Sequence, residues 1–235
     1  MTASEIVKQL EGLGRESYKK VLLNHDINEP VFGVKVDELK KIQKRVKKDY
    51  QLALDLYDSG IYDAQYLAGL IADEAKMTKK DLTKWLAKSN GRALCSTTVA
   101  WVAAESGHGR ELALEWIDSK NEHTAQTGWA TLSSLVSVKA DADLDLAELK
   151  RLLKRVEQTI HHQPDEVRYA MNGFVIAVGT YVQALTEAAL EAGEKIGKVS
   201  VDMGNTACKV PSSPEYIQKA QTRGVIGKKR KTARC

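Results

Sequence analysis

Two kinds of residue in this chain could act on a covalent bond or hold a metal. Cys95 sits in Arg92-Ala93-Leu94-Cys95-Ser96-Thr97-Thr98, which the local pattern reads as the opening of a helix. A thiol at the positive end of a helix dipole ionises more readily, and Ser96 with neighbouring amides could support an oxyanion. A buried thiol in a helical core is the competing reading. The five histidines are His25, His108, His123, His161 and His162. No two stand four apart on one helix and no C-x-x-C occurs, so no metal site and no cofactor are expected. His161-His162 precedes Pro164 at a predicted helix end, where imidazolium suits the negative pole of the dipole.

The third kind of chemistry is phosphate binding. Lys40, Lys44 and Lys47 recur along one predicted helix, and Lys80, Lys84 and Lys88 along another, each set forming one stripe. Lys150, Arg151, Lys154 and Arg155 add a third cluster. Stripes of this kind could track a nucleic-acid backbone. With Asp37, Glu38, Asp81 and Glu157 nearby they could also be solvated outer faces. Lys228-Lys229-Arg230-Lys231 could lie along phosphates as a short basic arm, or simply solubilise the end. Residues 198–235 hold nine Lys or Arg against Asp202 and Glu215, while the remainder holds 26 bases against 29 acids. The net charge of +4 therefore originates in the tail, and the body is not broadly basic.

These residues must be positioned by helices. Apolar residues recur at three- and four-residue steps, as in Leu149, Leu152, Leu153 and Val156, and period-two alternation is scarce. The four prolines are Pro30, Pro164, Pro211 and Pro214, so a long proline-free stretch is open to helices. Start and stop signals predict helices over 4–13, 15–24, 36–48, 52–58, 62–74, 79–88 (capped by Thr78), 93–105, 110–118, 122–138 and 145–162. A further helix starts at Pro164 as its first residue and runs to about Val182; others span 186–196 and about 213–221. The segments around Leu67-Ala68-Gly69-Leu70, Ala100-Trp101-Val102-Ala103 and Gly128-Trp129-Ala130 look alike and lie roughly 30 residues apart, and Tyr169–Val175 forms a fourth. Each follows a shorter, more charged helix. Two helices per repeat predict an all-α fold, an α-solenoid of antiparallel helix pairs of the HEAT type. Residues 1–197 are expected to form it. Residues 198–235 are expected to be a non-repeat extension that packs back in part and ends in the basic arm.

Composition narrows the function classes. Hydrophobic residues make up 43% and charged residues 28%, a globular balance. No apolar run reaches the roughly 18 residues of a membrane span. The start Met1-Thr2-Ala3-Ser4-Glu5 lacks the order of a signal peptide. Cys95, Cys208 and Cys235 are sparse and odd in number, which suits reduced thiols. A cytoplasmic protein with no membrane partner is expected, and a monomer.

The run Phe32-Gly33-Val34-Lys35-Val36-Asp37-Glu38-Leu39-Lys40-Lys41, followed by helix pairs of this length, resembles the DNA alkylation repair family, the AlkD-like group of HEAT-like-repeat DNA glycosylases. The resemblance spans about 15–197. It implies a curved stack whose concave face holds duplex DNA and, in active members, an aspartate, an arginine and tryptophans that excise alkylated purines. Carried over residue by residue, the aspartate would fall near Arg92–Thr98, where no carboxylate is present and no tryptophan precedes at the family's spacing. The arginine would fall at Gln126-Thr127, and a tryptophan at Asn172, Gly173 or Phe174. Trp101 and Trp129 read as core. No Asp or Glu occurs between Lys84 and Ala104, a gap for an enzyme that must stabilise a departing cationic group.

The reading is a DNA-binding protein that holds duplex DNA without the usual glycosylase residues. Asp63, Cys95, Ser96, Gln126, Thr127, Arg168, Tyr169 and Asn172 are expected to line the cleft. Two alternatives stand beside it: an active glycosylase with a rearranged site, for which Asp63 is the candidate carboxylate, and a protein-interaction scaffold.

Overall fold

The computed structural model describes every residue except Asp26, Asn205, Ala207 and Cys235. The Cys235 thiol and two positions of the 199–211 segment therefore lie outside the described residues. Regular structure among the described residues is helical: α1 (Ala3–Leu13), α2 (Glu16–Leu23), α3 (Val36–Val46), α4 (Tyr50–Asp58), α5 (Tyr62–Ile71), α6 (Lys79–Lys88), α7 (Arg92–Leu94), α8 (Ala100–Glu105), α9 (Gly109–Trp116), α10 (Glu122–Val138), α11 (Leu146–Thr159), α12 (Asp165–Tyr181), α13 (Thr186–Ile196) and α14 (Ser213–Thr222). Two compact units form. The first is Met1–His108 with Gly204–Thr206 and Arg234; the second is Gly109–Met203 with Ala207–Ala233.

Within each unit a short charged helix leans on an apolar one: α4 on α5 in the first, α9 on α10 and α11 on α12 in the second. The charged helices start from local signals. The Thr78 hydroxyl accepts from the Asp81 amide and Asp81 returns the bond, a capping box that opens α6 and turns Leu82 and Trp85 inward. Asn121 caps α10 and Asp145 caps α11 by accepting from the amides of Thr124 and Glu148. The apolar helices are buried nearly all round. In α5 every residue from Asp63 to Ile71 is buried.

That burial forces polar groups to find partners, and they do so by closing other helices. Gln65 donates to the Tyr57 and Lys88 carbonyls at 3.0 and 2.8 Å, near the ends of α4 and α6. Its oxygen accepts from the Asn90 amide at 2.7 Å, and the Asn90 side chain reaches the Pro30 and Gly60 carbonyls at 3.1 Å each. The Asp63 carboxylate accepts from the amides of Phe32 (2.6 Å) and Val34 (2.7 Å) and so fixes the loop before α3.

Several expectations change; α3 ends at Val46 and α11 at Thr159, each short of its expected end. α5 ends at Ile71 and not at Glu74, because its last carbonyls bond outside the helix: Leu70 to the Gln43 side chain at 3.1 Å and Ile71 to the Asp49 amide at 2.9 Å. Pro164 stands outside α12 as its cap, with ψ of 156°, and Asp165 and Glu166 fill the first turn. The helix over 92–105 is not uniform. Cys95–Val99 form a π-helical turn between α7 and α8, so Cys95 lies inside the run and does not open it. The Thr97 hydroxyl takes the Ala93 carbonyl at 2.6 Å and Ser96 leans on Arg92 and Ala93, which competes with regular i to i+4 bonding. Thr98 enters the space left by Gly69, where an added Cβ would stand 2.5 Å from its methyl group.

Candidate nucleic-acid interface

The lysine stripes are sorted by what surrounds them. On α3, Lys44 is exposed and Lys40 is half-buried; Lys47, expected on the same stripe, lies past the end of the helix with φ of 62° and is exposed. On α6, Lys80 is exposed, but Lys84 and Lys88 both contact Asp58 of α4 at 2.7 and 3.2 Å. Burial pushes the Asp58 carboxyl up, and the two ammonium groups outweigh that and hold it below the usual carboxylate range. Lys84 and Lys88 thus bring two positive charges and meet one negative charge. On α11, Lys154 pairs with Glu157, while Arg155 pairs with Asp118, bonds the Ile117 carbonyl and lies 5.7 Å from the Trp129 ring centre.

The basic tail is tied down by helix ends. In the second unit the Gly227 amide bonds the Thr180 carbonyl at 2.9 Å and the Arg230 amide bonds Ser137 at 2.8 Å. The Lys229 ammonium donates to the Val136 carbonyl at 2.8 Å and pairs with Asp141 at 2.8 Å. These carbonyls close α12 and α10, where a cation suits the negative pole. In the first unit the Arg234 guanidinium, 7% exposed, bonds the Leu70 and Ala72 carbonyls and pairs with Glu74 and Glu105. Lys228, Arg230 and Lys231 keep exposed side chains.

The residues expected to line a cleft fall into two groups. Asp63, Cys95, Gln126, Thr127 and Asn172 are at most 5% exposed. Thr127 donates to the His123 carbonyl at 2.6 Å. Burial lifts the Asp63 carboxyl above its ordinary range, and the Phe32 and Val34 amides pull it part of the way back. Its two oxygens are engaged by backbone, away from any bound group. Of Asn172, Gly173 and Phe174, where the resemblance would put a tryptophan, Phe174 is fully buried against Trp129. Ser96 and Arg168 are half-buried and Tyr169 is 41% exposed.

The N-terminal part of α12 carries three of the expected cleft residues, Arg168, Tyr169 and Asn172, beside Asp165. Asp165, Arg168, Tyr169 and Asn172 occupy positions 0, 3, 4 and 7 and therefore share one face. Three of them hold the irregular segment after α13: Asp165 accepts from the Asp202 amide at 2.7 Å, Arg168 donates to the Ser200 carbonyl, and Asn172 donates to the Pro211 carbonyl at 2.9 Å. Tyr169 alone of the four leaves its ring in solvent. Tyr216 of α14 is 53% exposed. It escaped the sequence reading, although the period could have found it: Ile217 and Ala220 face inward and leave Tyr216 outside.

His161, expected to cap its own helix, sits in a 3-10 turn and reaches the Ile196 carbonyl that ends α13, at 2.8 Å. Among the described residues no three His, Cys, Asp or Glu converge as metal ligands would, and no single helix is long and apolar enough to cross a membrane.

A family model for DNA alkylation repair enzymes matches residues 6–210. Two uncharacterised proteins, one from Listeria monocytogenes and one from Listeria innocua, are each 32% identical over 228 residues, which is 95% of this chain and 99% of theirs. A solved structure, from a new family of proteins related to the HEAT-like repeat DNA glycosylases with affinity for branched DNA structures, matches at a TM-score of 0.92 and 34% identity and covers 100% of both chains. The helix pairs are HEAT-like repeats, and the chain belongs to the DNA alkylation repair family.

Proposed function

We propose that this protein binds DNA, prefers branched DNA to linear duplex, and does so without excising bases. The observation that carries the reading is the full-length likeness, at 34% identity, to a protein of the family with affinity for branched DNA structures. Lys40, the exposed Lys44, Lys47 and Lys80, and Lys228, Arg230 and Lys231 of the tail would hold phosphates of the duplex arms. Lys84, Lys88 and Lys229 would contribute less, since Asp58 and Asp141 already neutralise part of their charge. Catalysis is left out because the candidate carboxylate, Asp63, is consumed by two backbone amides, and Asp165 in the first turn of α12 accepts from the Asp202 amide and pairs with Arg168. Around the positions where the resemblance would put the family's acid, arginine and tryptophan stand Cys95 and Ser96, Gln126 and Thr127, and Asn172, Gly173 and Phe174, none of them an acid, an arginine or a tryptophan.

The test is fluorescence anisotropy with a four-way junction and a linear duplex of the same sequence, at several salt concentrations. The junction is expected to bind more tightly, and alanine at Lys44 or Lys80 to lower the log–log salt slope by about 0.9 for each phosphate no longer neutralised. Absence of junction binding at low salt would overturn DNA binding. Release of 3- or 7-methylpurine from alkylated DNA would overturn the non-catalytic part.

A further inference from the structure

The last helix and the arm behind it concentrate positive charge in the second unit. From Tyr216 to Cys235 the sequence holds seven Lys or Arg and no Asp or Glu. α14 is seated by Ser213, Ile217 and Ala220, which share one buried face. Ile217 fills the space left by Gly179 of α12. Lys219 and Arg223, four positions apart, lie off that face and are exposed. The match to the family ends at residue 210, so these cations lie outside the matched residues.

The arm is held in place. The Val225 amide bonds the Ala220 carbonyl at 3.1 Å and the Lys228 amide bonds Val225 at 3.1 Å, so the chain turns directly after α14. The Gly227 and Arg230 amides and the Lys229 ammonium then bond the carbonyls that end α12 and α10. Between these anchors Lys228 and Lys231 face solvent. Among the described residues Lys219, Arg223, Lys228 and Lys231 form no ion pair. The acids that reach this part are engaged: Asp141 pairs with Lys229, and Glu187 meets the Gln221 side chain at 3.5 Å. Like charges gathered on an ordered backbone repel one another, and a polyanion relieves that repulsion. Because the backbone is already fixed, less conformational freedom is lost on binding than with a free tail. The charges are spread over a helix end and an extended segment. A small anion would meet one or two of them, whereas DNA, with one charge per about 1.7 Å of axis, can meet them all.

We infer that α14 and the anchored arm form a second phosphate-binding surface, which takes one duplex arm of branched DNA while the lysines of α3 and α6 in the first unit take another; the inference rests on the DNA-binding reading. Phosphate contacts carry no sequence information, so such a pair of surfaces reads the number of arms and not the bases. A branch offers several arms tethered at one point. Once one arm is held, the next is at high effective concentration, which a short linear duplex cannot provide.

The full chain with Lys219→Ala and Arg223→Ala together tests this, with a four-way junction and a linear duplex as long as one junction arm. Fluorescence anisotropy is followed between 50 and 200 mM salt. The log–log salt slope for the junction should fall by about 0.9 for each lost contact, about 1.8 for the two, so its loss of affinity over that range should shrink roughly tenfold. The ratio of junction to duplex affinity should fall with it. Lys219→Arg with Arg223→Lys keeps both charges and should behave as the native protein. Both side chains are exposed, so the alanine variant should fold, as circular dichroism can verify. Junction binding by the native protein with an unchanged slope in the alanine variant would overturn this inference alone. Equal falls in slope on junction and duplex, with the preference kept, would also overturn it. A native protein that binds neither DNA would overturn the DNA-binding reading and this inference with it.

Discussion

Asp63→Ala should destabilise the first unit by about 2–4 kcal/mol without changing the DNA preference. The Phe32 and Val34 amides lose this acceptor, and a buried donor left unpaired costs about 1–3 kcal/mol. Part of that loss is offset, because the substitution also removes a carboxylate whose burial is unfavourable. The loop it holds is joined to α2 through the Arg15 amide and the Gly33 carbonyl at 3.1 Å, so the damage should reach the α1–α2 connection. Gly33 has φ of 77° and stands where an added Cβ would be 2.6 Å from the Lys19 nitrogen, which leaves the loop no alternative packing. Asp63→Asn should cost about half as much, since its oxygen can still accept one amide while its NH2 faces the other. Urea unfolding followed by tryptophan fluorescence reads the loss, with the two units fitted as separate transitions if the curves require it. Hydrogen exchange at Arg15 localises it. A loss below about 0.5 kcal/mol would refute the structural assignment. Intact stability with lost DNA affinity would refute it too, and would return Asp63 to the binding site.

Gly128→Ala should be destabilising by about 1–3 kcal/mol, because its Cβ would meet the Ile117 backbone nitrogen at 2.7 Å, and backbone cannot rotate away. Gly173→Ala, also within a helix but with nothing within 4 Å, should instead be neutral or stabilising by about 0.5–1 kcal/mol, and paired thermal melts compare the two. Asp58, held below its ordinary range by Lys84 and Lys88, contributes stability that is present at neutral pH and is lost as pH falls through its folded-state value, below about 4. In Asp58→Asn the acid side of the stability profile should be shallower, which urea midpoints between about pH 2.5 and 7 would measure.

Much of the helical plan is local and so was readable. The predicted bounds of α6, α10 and α13 match the structure, because Thr78, Asn121 and the glycine after Ile196 act within one turn of the helix they bound. The apolar period placed Trp101 and Trp129 in the core. The candidate interface was legible only in part. Tyr169 and Arg168 were locatable on α12, yet whether a ring faces solvent depends on the 199–211 segment, whose place is decided by bonds from Asp165, Arg168 and Asn172 some 32 to 39 residues away in sequence.

What the sequence determined by itself was helix type, pairing and charge, since periodicity and caps are satisfied among near neighbours. What the tertiary structure decided was the use of each polar side chain. The Asp63 carboxylate serves a loop, Gln65 closes two helices and Lys229 ends α10 because a buried donor or acceptor must be paired, and the partner is supplied by whichever backbone packing brings within reach. The π-helical turn at Cys95–Val99 likewise stands where the Ser96 and Thr97 hydroxyls compete for carbonyls and Thr98 is pressed against Gly69.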